Sequence, residues 1–513
     1  MSVPVRAAHE AVLRRQPARE TAARTYARAL PIVPVRARGM TIEGADGRRY
    51  LDCLSGAGAL ALGHNHPVVL EAIRGVLDSG APLHALDLAT PIQDAFVAEL
   101  LRTLPPGLAD HARVRFCGPG ENDAVEAAFR LVRAATGRAA VLAFSGARHG
   151  MSDEAAALSG EAGDTHVAGL PYPQDYRCPF GVGGPRGAEL AARRAESALD
   201  AHGLGGPPPA GMILEAVQGE NGAIPAPDAW MRRMREATTA RAVPLIADEV
   251  QTGVGRTGAF WAVEHSGVVP DLMVLSRAIG GSLPLAVLVH RDDLDVRPSD
   301  APAHTFRGNQ LAMAAGTATL TYVRENGLAA RAATLGTRML DQLRALQEEF
   351  VLVGDVRGRG LMIGVEFVEP GMSMQPMQPM QPMESSEAGT DAAAYGGPRP
   401  AAHTTADGLR RRTAAGSPPP PAPGIAAAVR RECLRRGLLV DLGGPHMSVV
   451  RLLPPLTISD EQATAVLDRL ADAIRTVARA HSGSPAGSHR PQEARCRHRR
   501  PGERTETAAL RGG

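Results

Sequence analysis

From about Pro91 to Val323, short apolar runs alternate with longer segments whose apolar residues recur at helical spacing. A strand that is apolar throughout must be covered on both faces, and helices between successive strands supply that cover. The pattern predicts an α/β domain on a large, mostly parallel sheet. Its expected strands run from Val114 to Cys117, Val141 to Phe144, Met212 to Leu214, Val243 to Ala247, Leu272 to Leu275 and Leu285 to Val289. Before it, a helix is expected around Ala8 to Arg28, and Asp46-Gly47 marks a hairpin between Met40 and Asp52. After it come a helix from Leu328 to Phe350, a strand pair from Val353 to Phe367 turning at Gly358 and Gly360, a helix from Ile425 to Arg436, strands near 438–440 and 449–453, and a helix from Asp460 to Ala480. These form a smaller α/β unit. The expected division is an N-terminal arm and part of the small domain (1–69), a large domain (70–325), a small domain (326–368 and 425–480), a low-complexity insert (369–424) and a disordered tail (481–513). The insert carries Met-Gln-Pro repeats from Met374 and a proline run from Pro418 to Pro421, a composition that favours a solvated loop over a soft-metal site.

Charge excludes some partners. A formal net charge of +2 on 513 residues gives no global field for nucleic acid, so small molecules or proteins are the expected partners. No apolar run approaches the roughly 20 residues of a membrane span, and the N-terminal stretch lacks a signal core, so a soluble cytoplasmic protein is expected. Five scattered cysteines indicate neither a disulfide framework nor a metal site. All 56 basic residues are arginine, and the chain contains no lysine. Chemistry that needs a lysine amine is excluded.

In an open α/β sheet, ligands bind beyond the carboxyl ends of the strands. The strand ending at Cys117 runs into Gly118-Pro119-Gly120-Glu121-Asn122-Asp123 and a helix, the layout of a phosphate cup, because free N–H groups and the helix dipole both attract an anion. Phe144 leads to Ser145 and then Arg148-His149-Gly150. Leu214 leads to Glu215 and, beyond it, Gly219-Glu220. Ala247 leads to Asp248-Glu249-Val250-Gln251, and Leu275 to Ser276-Arg277. Acidic residues followed by glycine at strand ends point to chemistry.

These motifs, together with Tyr50-Leu51-Asp52 and Ser55-Gly56-Ala57-Gly58, Gly63-His64-Asn65-His66-Pro67, Gly255-Arg256-Thr257-Gly258, and Thr305 to Gln310, resemble the class III pyridoxal-phosphate aminotransferases, most closely the diaminobutyrate:2-oxoglutarate aminotransferases, over roughly Arg36 to Ala480. The resemblance implies a fold-type-I architecture, pyridoxal 5'-phosphate as cofactor, and an amino acid and a 2-oxo acid as substrates. It implies that Asp248 pairs with the pyridine nitrogen, so that the ring can act as an electron sink. It further implies that Val250 packs on the ring, Gln251 meets the ring hydroxyl, and Gly120, Glu121, Asn122 and His149 lie against the cofactor. Glu220 would gate an arginine between half-reactions, Gly56 and Arg451 would meet substrate, and Arg451 would clamp an α-carboxylate. Thr305 would reach the phosphate of a neighbouring subunit, in a homodimer. No metal is implied.

Three departures fall on that site. Arg277 stands where the family has its cofactor-linking lysine, and a guanidinium with a pKa above ~12 cannot become the free amine that attacks an aldehyde. Arg148 stands where the family usually stacks an aromatic ring, and Glu121 where it usually has a cup glycine. A general lysine-to-arginine replacement would explain Arg277 but not Glu121 or Arg148. Three readings stay open: an aminotransferase with impaired or altered activity, a catalytically dead homologue serving as a binding or regulatory subunit beside an active paralogue, and an enzyme that holds its cofactor non-covalently at most and uses an external amine. If charge must be paired, Arg277 should reach Asp248 or Glu121, and Arg148 should find a carboxylate or an anion.

Overall fold

The computed structural model describes residues 10–15, 30–149, 167–200, 208–295, 305–370 and 418–482. The chain enters through strands β1 (Pro34–Arg38), β2 (Thr41–Gly44) and β3 (Arg49–Asp52), paired antiparallel, then helices α1 (Pro67–Ser79) and α2 (Pro91–Thr103). α1 stops at Gly80, whose φ of 68° is a left-handed cap; α2 starts where the Thr90 side chain accepts the Gln93 N–H. Next come β4 (Ala112–Phe116), α3 (Glu121–Thr136), β5 (Val141–Phe144), β6 (Val167–Leu170), α4 (Gly184–Leu199) and β7 (Gly211–Leu214). A two-residue ladder follows, β8 (Val217–Gln218) with β9 (Ile224–Pro225), then α5 (Asp228–Ala240), β10 (Leu245–Asp248), β11 (Leu272–Leu275) and β12 (Val287–Arg291).

β4, β12, β11, β10, β7, β5 and β6 lie side by side in that order as one seven-stranded sheet. β10 runs parallel to both β11 and β7, and β5 parallel to both β7 and β6, whereas β12 runs antiparallel to β11 and β4. The expected parallel sheet is thus crossed by one reversed strand. Alternate side chains feed two separate cores. Val141, Ala143, Ile213, Ile246 and Val274 pack with Val125, Phe129 and Val132 of α3, while Leu142, Phe144, Met212, Leu214, Leu245 and Met273 pack into the larger core on the opposite face. Apolar side chains on both faces explain why these strands are continuous apolar runs.

Helices α6 (Gln310–Glu325) and α7 (Leu328–Glu349) lead to β13 (Val353–Arg359) and β14 (Met362–Phe367). After α8 (Pro423–Arg435), strand β15 (Leu438–Leu439) pairs parallel with β3, and β16 (Asp441–Gly443) and β17 (Val449–Leu452) complete a second antiparallel sheet in the order β13, β14, β17, β16; α9 (Asp460–Ser482) is the last described element. Most of the low-complexity insert, the tail beyond Ser482 and the first helix except 10–15 lie outside the described residues. The ends of the insert meet: the Glu369 N–H donates to Pro420 O at 2.9 Å and the Ala422 N–H to Phe367 O at 3.0 Å. The expected strand from Val243 begins instead at Leu245 and includes Asp248, so that side chain is fixed by a ladder and not by a loop.

Two glycines let α6 press against the turn Arg277–Gly280. A Cβ on Gly316 would lie 2.1 Å from Ile279 O, and one on Gly281 would lie 2.3 Å from Ala315 O. Gly316→Ala is therefore expected to destabilise the protein by about 1–3 kcal/mol, as overpacking usually does, read as a lowered urea midpoint with unchanged slope.

Candidate functional site

The carboxyl ends of β7, β10 and β11 face the start of α3 and the turn after β3. Asp52, which is buried, shapes that turn: its Oδ1 accepts the Leu54 and Ser55 N–H groups at 2.8 and 3.3 Å, and its Oδ2 lies 2.8 Å from His64 Nε2. Ser55, Gly56 and Ala57 are then forced to positive φ (45°, 57° and 56°). Such strain in non-glycine residues persists only where surrounding contacts fix it. Here it aims the Ala57 carbonyl at Arg277, whose Nη1 donates to it at 2.7 Å.

Arg277 is itself held at φ 54°, just beyond β11. Its Nε and Nη2 donate to the two carboxylate oxygens of Glu121 at 2.7 and 3.1 Å, a planar fork on a planar carboxylate. Burial works against the arginine's charge, yet the Glu121 hydrogen bonds and the nearby charges of Glu121, Glu220 and Asp248 outweigh it, so the guanidinium is held more firmly protonated than usual. Of the two partners expected for Arg277, the structure selects Glu121. Arg148 departs from its expectation: it is exposed and forms no ion pair among the described residues, since a long side chain at the rim keeps its charge in water at little cost.

Deeper in, Asp248 Oδ2 hydrogen-bonds His149 Nδ1 at 2.7 Å, and its Oδ1 accepts the Val250 N–H at 3.0 Å. Beside them lies Glu215, at the end of β7, which sequence reasoning noted only as part of a motif. The backbone N–H of Arg148 donates to Glu215. Burial, then the charges of Asp248 and Glu220, push the Glu215 carboxyl well above the usual range. Among the described residues, two buried atoms here lack a partner, His149 Nε2 and Glu215 Oε2, and Gln251 Oε1 is a third. Glu249, adjacent to Asp248, turns away: it accepts from Thr252 and from the Val263 N–H, and burial pushes it up to about 7.

Glu220 and Arg451 meet at 3.0 Å, and the buried Arg451 also donates to Gly219 O at 3.0 Å and to Asp441. Burial alone would raise Glu220, but the arginine's charge and hydrogen bond dominate and hold it below its ordinary value. Asp441, on the short polar strand β16, carried no sequence signal. Gln251 Nε2 bridges loosely to Glu220 at 3.4 Å and Ala57 O at 3.5 Å, which brings Gly56, Gln251, Glu220 and Arg277 to one cleft. Gly120 and Asn122 flank Glu121 at the head of α3, where the Gly120 N–H donates to Asp123 at 3.0 Å. Thr305 stands apart. It is exposed, and its carbonyl lies 2.7 Å from His84 Nε2. No helix among the described residues is long and apolar enough to cross a membrane.

A seven-stranded sheet with this acidic and arginine-lined cleft at its strand ends has the architecture of the fold-type-I transaminases. A solved amine transaminase from an uncultivated Pseudomonas species, described in its PLP-bound (internal aldimine) form, is 27% identical and superposes with a TM-score of 0.71 over 87% of this chain and 95% of its own. An omega-transaminase from Thermomicrobium roseum shares the fold with a TM-score of 0.73 over 91% of this chain and 98% of its own, at 24% identity. The family description "Aminotransferase class-III" matches residues 21–474, and the chain belongs to that family. It is 45% identical to the diaminobutyrate–2-oxoglutarate aminotransferase of Rhizobium meliloti over 93% of this chain and 95% of the relative, and 39% identical to that of Haemophilus influenzae over 93% and 99%.

A buried carboxyl whose folded-state pKa is raised supplies stability that is lost as pH climbs above its unfolded value near 4.5. Glu215→Gln mimics the protonated form at every pH. The variant is expected to match the parent near pH 4.5 and to exceed it in thermal stability by a margin that widens towards pH 8, measured by paired melting curves.

Proposed function

We propose that the chain is an aminotransferase-family protein of the diaminobutyrate–2-oxoglutarate type in which Arg277 takes the place of the cofactor-linking lysine, and that amino transfer between diaminobutyrate, or a similar diamino acid, and 2-oxoglutarate is strongly impaired. The bidentate pair of Arg277 with Glu121 carries this reading. A guanidinium locked on a carboxylate neither attacks an aldehyde nor shuttles a proton, and no lysine elsewhere in the chain can replace it.

Pyridoxal 5'-phosphate is the cofactor of this reading, and the residues fit one end of it. In this reading Asp248, at the end of β10, is the carboxylate for a pyridine nitrogen, and Gln251 Oε1, without a partner among the described residues, is an acceptor for a ring hydroxyl. When bound, the ring supplies an electron sink for charge developing on the substrate. Arg451 is the group for a substrate carboxylate. Its Nη1 and Nη2 are held by Glu220, Asp441 and the Gly219 carbonyl until substrate arrives, while its buried Nε has no partner among the described residues, and Glu220 is the partner positioned to yield. The linking end does not fit, so any cofactor is held without a covalent bond.

A second reading, a binding or regulatory subunit, is supported by the surface beside Thr305. Phe306, Leu83, Leu86 and Leu88 are exposed there, and the His84 bond to the Thr305 carbonyl ties the two segments together. An exposed apolar patch of this kind suits contact with a second copy or with an active paralogue. Sedimentation at micromolar concentration is expected to give a dimer.

Three measurements test the impaired site. Borohydride reduction in the presence of the cofactor is expected to add no mass to the chain. Restoring the family's usual residues together (Glu121→Gly, Arg148→Tyr, Arg277→Lys) is expected to raise transamination of diaminobutyrate with 2-oxoglutarate by about 10²–10⁴-fold, the range of a positioned acid–base group. Arg277→Lys alone falls short, because Glu121 keeps the new amine protonated. A parent as active as the triple variant overturns the reading.

A further inference from the structure

We propose that Arg357 is a positioning residue for the pair Glu220–Arg451, acting through the backbone of the turn that carries Glu220. The inference rests on the preceding reading that Arg451 receives a carboxylate and Glu220 yields to it, and it adds what holds Glu220 in place.

The second sheet presents one transverse row to that turn. Arg357 on β13 lies opposite Gly364 on β14, Gly364 opposite Arg451 on β17, and Arg451 opposite Asp441 on β16. Residues directly opposite each other in antiparallel strands project to the same face, so two guanidiniums flank a position with no side chain. The turn from Gly219 to Gly222, which joins β8 to β9, is seated across this row. Arg451 Nη1 donates to Gly219 O at 3.0 Å, and Arg357 Nε donates to Gly222 O at 2.9 Å. Between them, a Cβ on Gly364 would lie 2.5 Å from Gly222 O. The Gly444 N–H adds a third hold, donating to Glu220 O at 2.8 Å. Gly222 itself sits at a φ of 103°, and a Cβ there would lie 2.8 Å from Arg357 Nη2.

Arg357 is in turn fixed by its own strand pair. Its Nη1 donates to Asp355 at 2.8 Å and to Glu366 at 2.6 Å. The buried Glu366 is also held by Arg177, whose Nη2 donates to Pro419 O at 3.1 Å. Burial works against the Arg357 charge, but Asp355 and then Glu366 outweigh it, so the guanidinium is held more firmly protonated than usual. An arginine placed only to neutralise Glu366 would need no bond to the turn, yet the Arg357 Nε–H is given to it.

Attraction between charges falls with separation, so the 3.0 Å contact of Glu220 with Arg451 depends on where the backbone beneath Glu220 is held. With the turn pinned at Gly219 and Gly222, Glu220 leaves Arg451 by moving its side chain alone. Once Gly222 is released, the turn itself can lift, and Glu220 gives way more readily to an incoming anion.

Glutarate, which has the two carboxylates of 2-oxoglutarate and no oxo group, is the probe, titrated calorimetrically into the full chain. Arg357→Lys keeps a charge beside Glu366 and Asp355 but has no Nε–H for Gly222 O. Loss of one hydrogen bond from a charged donor corresponds to roughly a tenfold change in an equilibrium, and this variant is expected to bind glutarate about 3- to 10-fold more tightly than the parent. Glu220→Gln is expected to tighten binding as well, and adding Arg357→Lys to it to bring no further gain, because substitutions that act through one contact are not additive. Hydrogen–deuterium exchange in the peptides around Gly222 and Gly444 reads the turn without a ligand, and is expected to be about tenfold faster in Arg357→Lys. Gly364→Ala crowds the turn from the middle of the row while leaving the ion pairs of Arg357 alone, and is expected to shift both readouts the same way should Arg357→Lys fail to fold. Exchange and glutarate affinity equal to the parent's in these variants overturn the inference. So does an effect of Arg357→Lys on glutarate that is the same with and without Glu220, the mark of a merely structural role. If the parent binds no glutarate at millimolar concentration, or Arg451→Gln leaves that binding unchanged, the carboxylate reading of Arg451 falls instead. The exchange rates then decide the inference alone: faster exchange in Arg357→Lys upholds it, and parental rates overturn it.

Discussion

Burial of the seven-stranded sheet on both faces is the constraint from which the rest of the molecule follows. With apolar side chains alternating into two cores, the strands β5, β7, β10 and β11 carry no polar side chain until they end, whereas the edge strand β4 carries Arg113 and Arg115. Charge is therefore concentrated at the carboxyl ends, where Glu215, Asp248 and Arg277 emerge from β7, β10 and β11 within one cleft. The same confinement makes their electrostatics strong. Each charge is governed by its protein neighbours: the buried Glu215 is raised, Glu220 is lowered beside Arg451, and Arg277 is held protonated on Glu121, three different neighbourhoods on one rim.

Within that rim, the ion pair between Arg277 and Glu121 links elements far apart in the chain: the turn after β11, the head of α3 and, through the Ala57 carbonyl, the strained turn after β3. A buried or half-buried pair contributes little net stability compared with apolar packing, but removing one member leaves the other exposed to the full cost of desolvation. Glu121 and Arg277 are thus coupled. Either change alone would leave an unmatched charge in the cleft, whereas both together leave a satisfied one.

Much of this was legible in the residues. The strands Val141–Phe144 and Leu272–Leu275 stand out as apolar runs bounded by breakers, and the structure returns them with those limits. The strand Val167–Leu170 was missed because it is short and contains a glycine; β16 was missed because Asp441 and Gly443 have little strand propensity. The reversal of β12 could not be read either, since a strand covered on both faces shows the same apolar run in either direction. Charge arithmetic narrowed the partner of Arg277 to two acids but could not choose between them. That choice depends on the φ of 54° at Arg277, a backbone feature with no mark in an arginine side chain. Glu215 was hidden for the opposite reason: one of its two carboxyl oxygens, Oε2, is buried without a hydrogen-bond partner among the described residues, and spacing along a chain does not disclose that.

The meeting of Glu369 with Pro420 and of Phe367 with Ala422 has a bearing on how the family can diversify. The chain departs and returns across a pair of adjacent hydrogen bonds, and the entropy of closing a flexible loop between such points rises by only about 0.6 kcal/mol for each doubling of its length. That junction is a place where a change in the length of the joined segment costs little closure entropy.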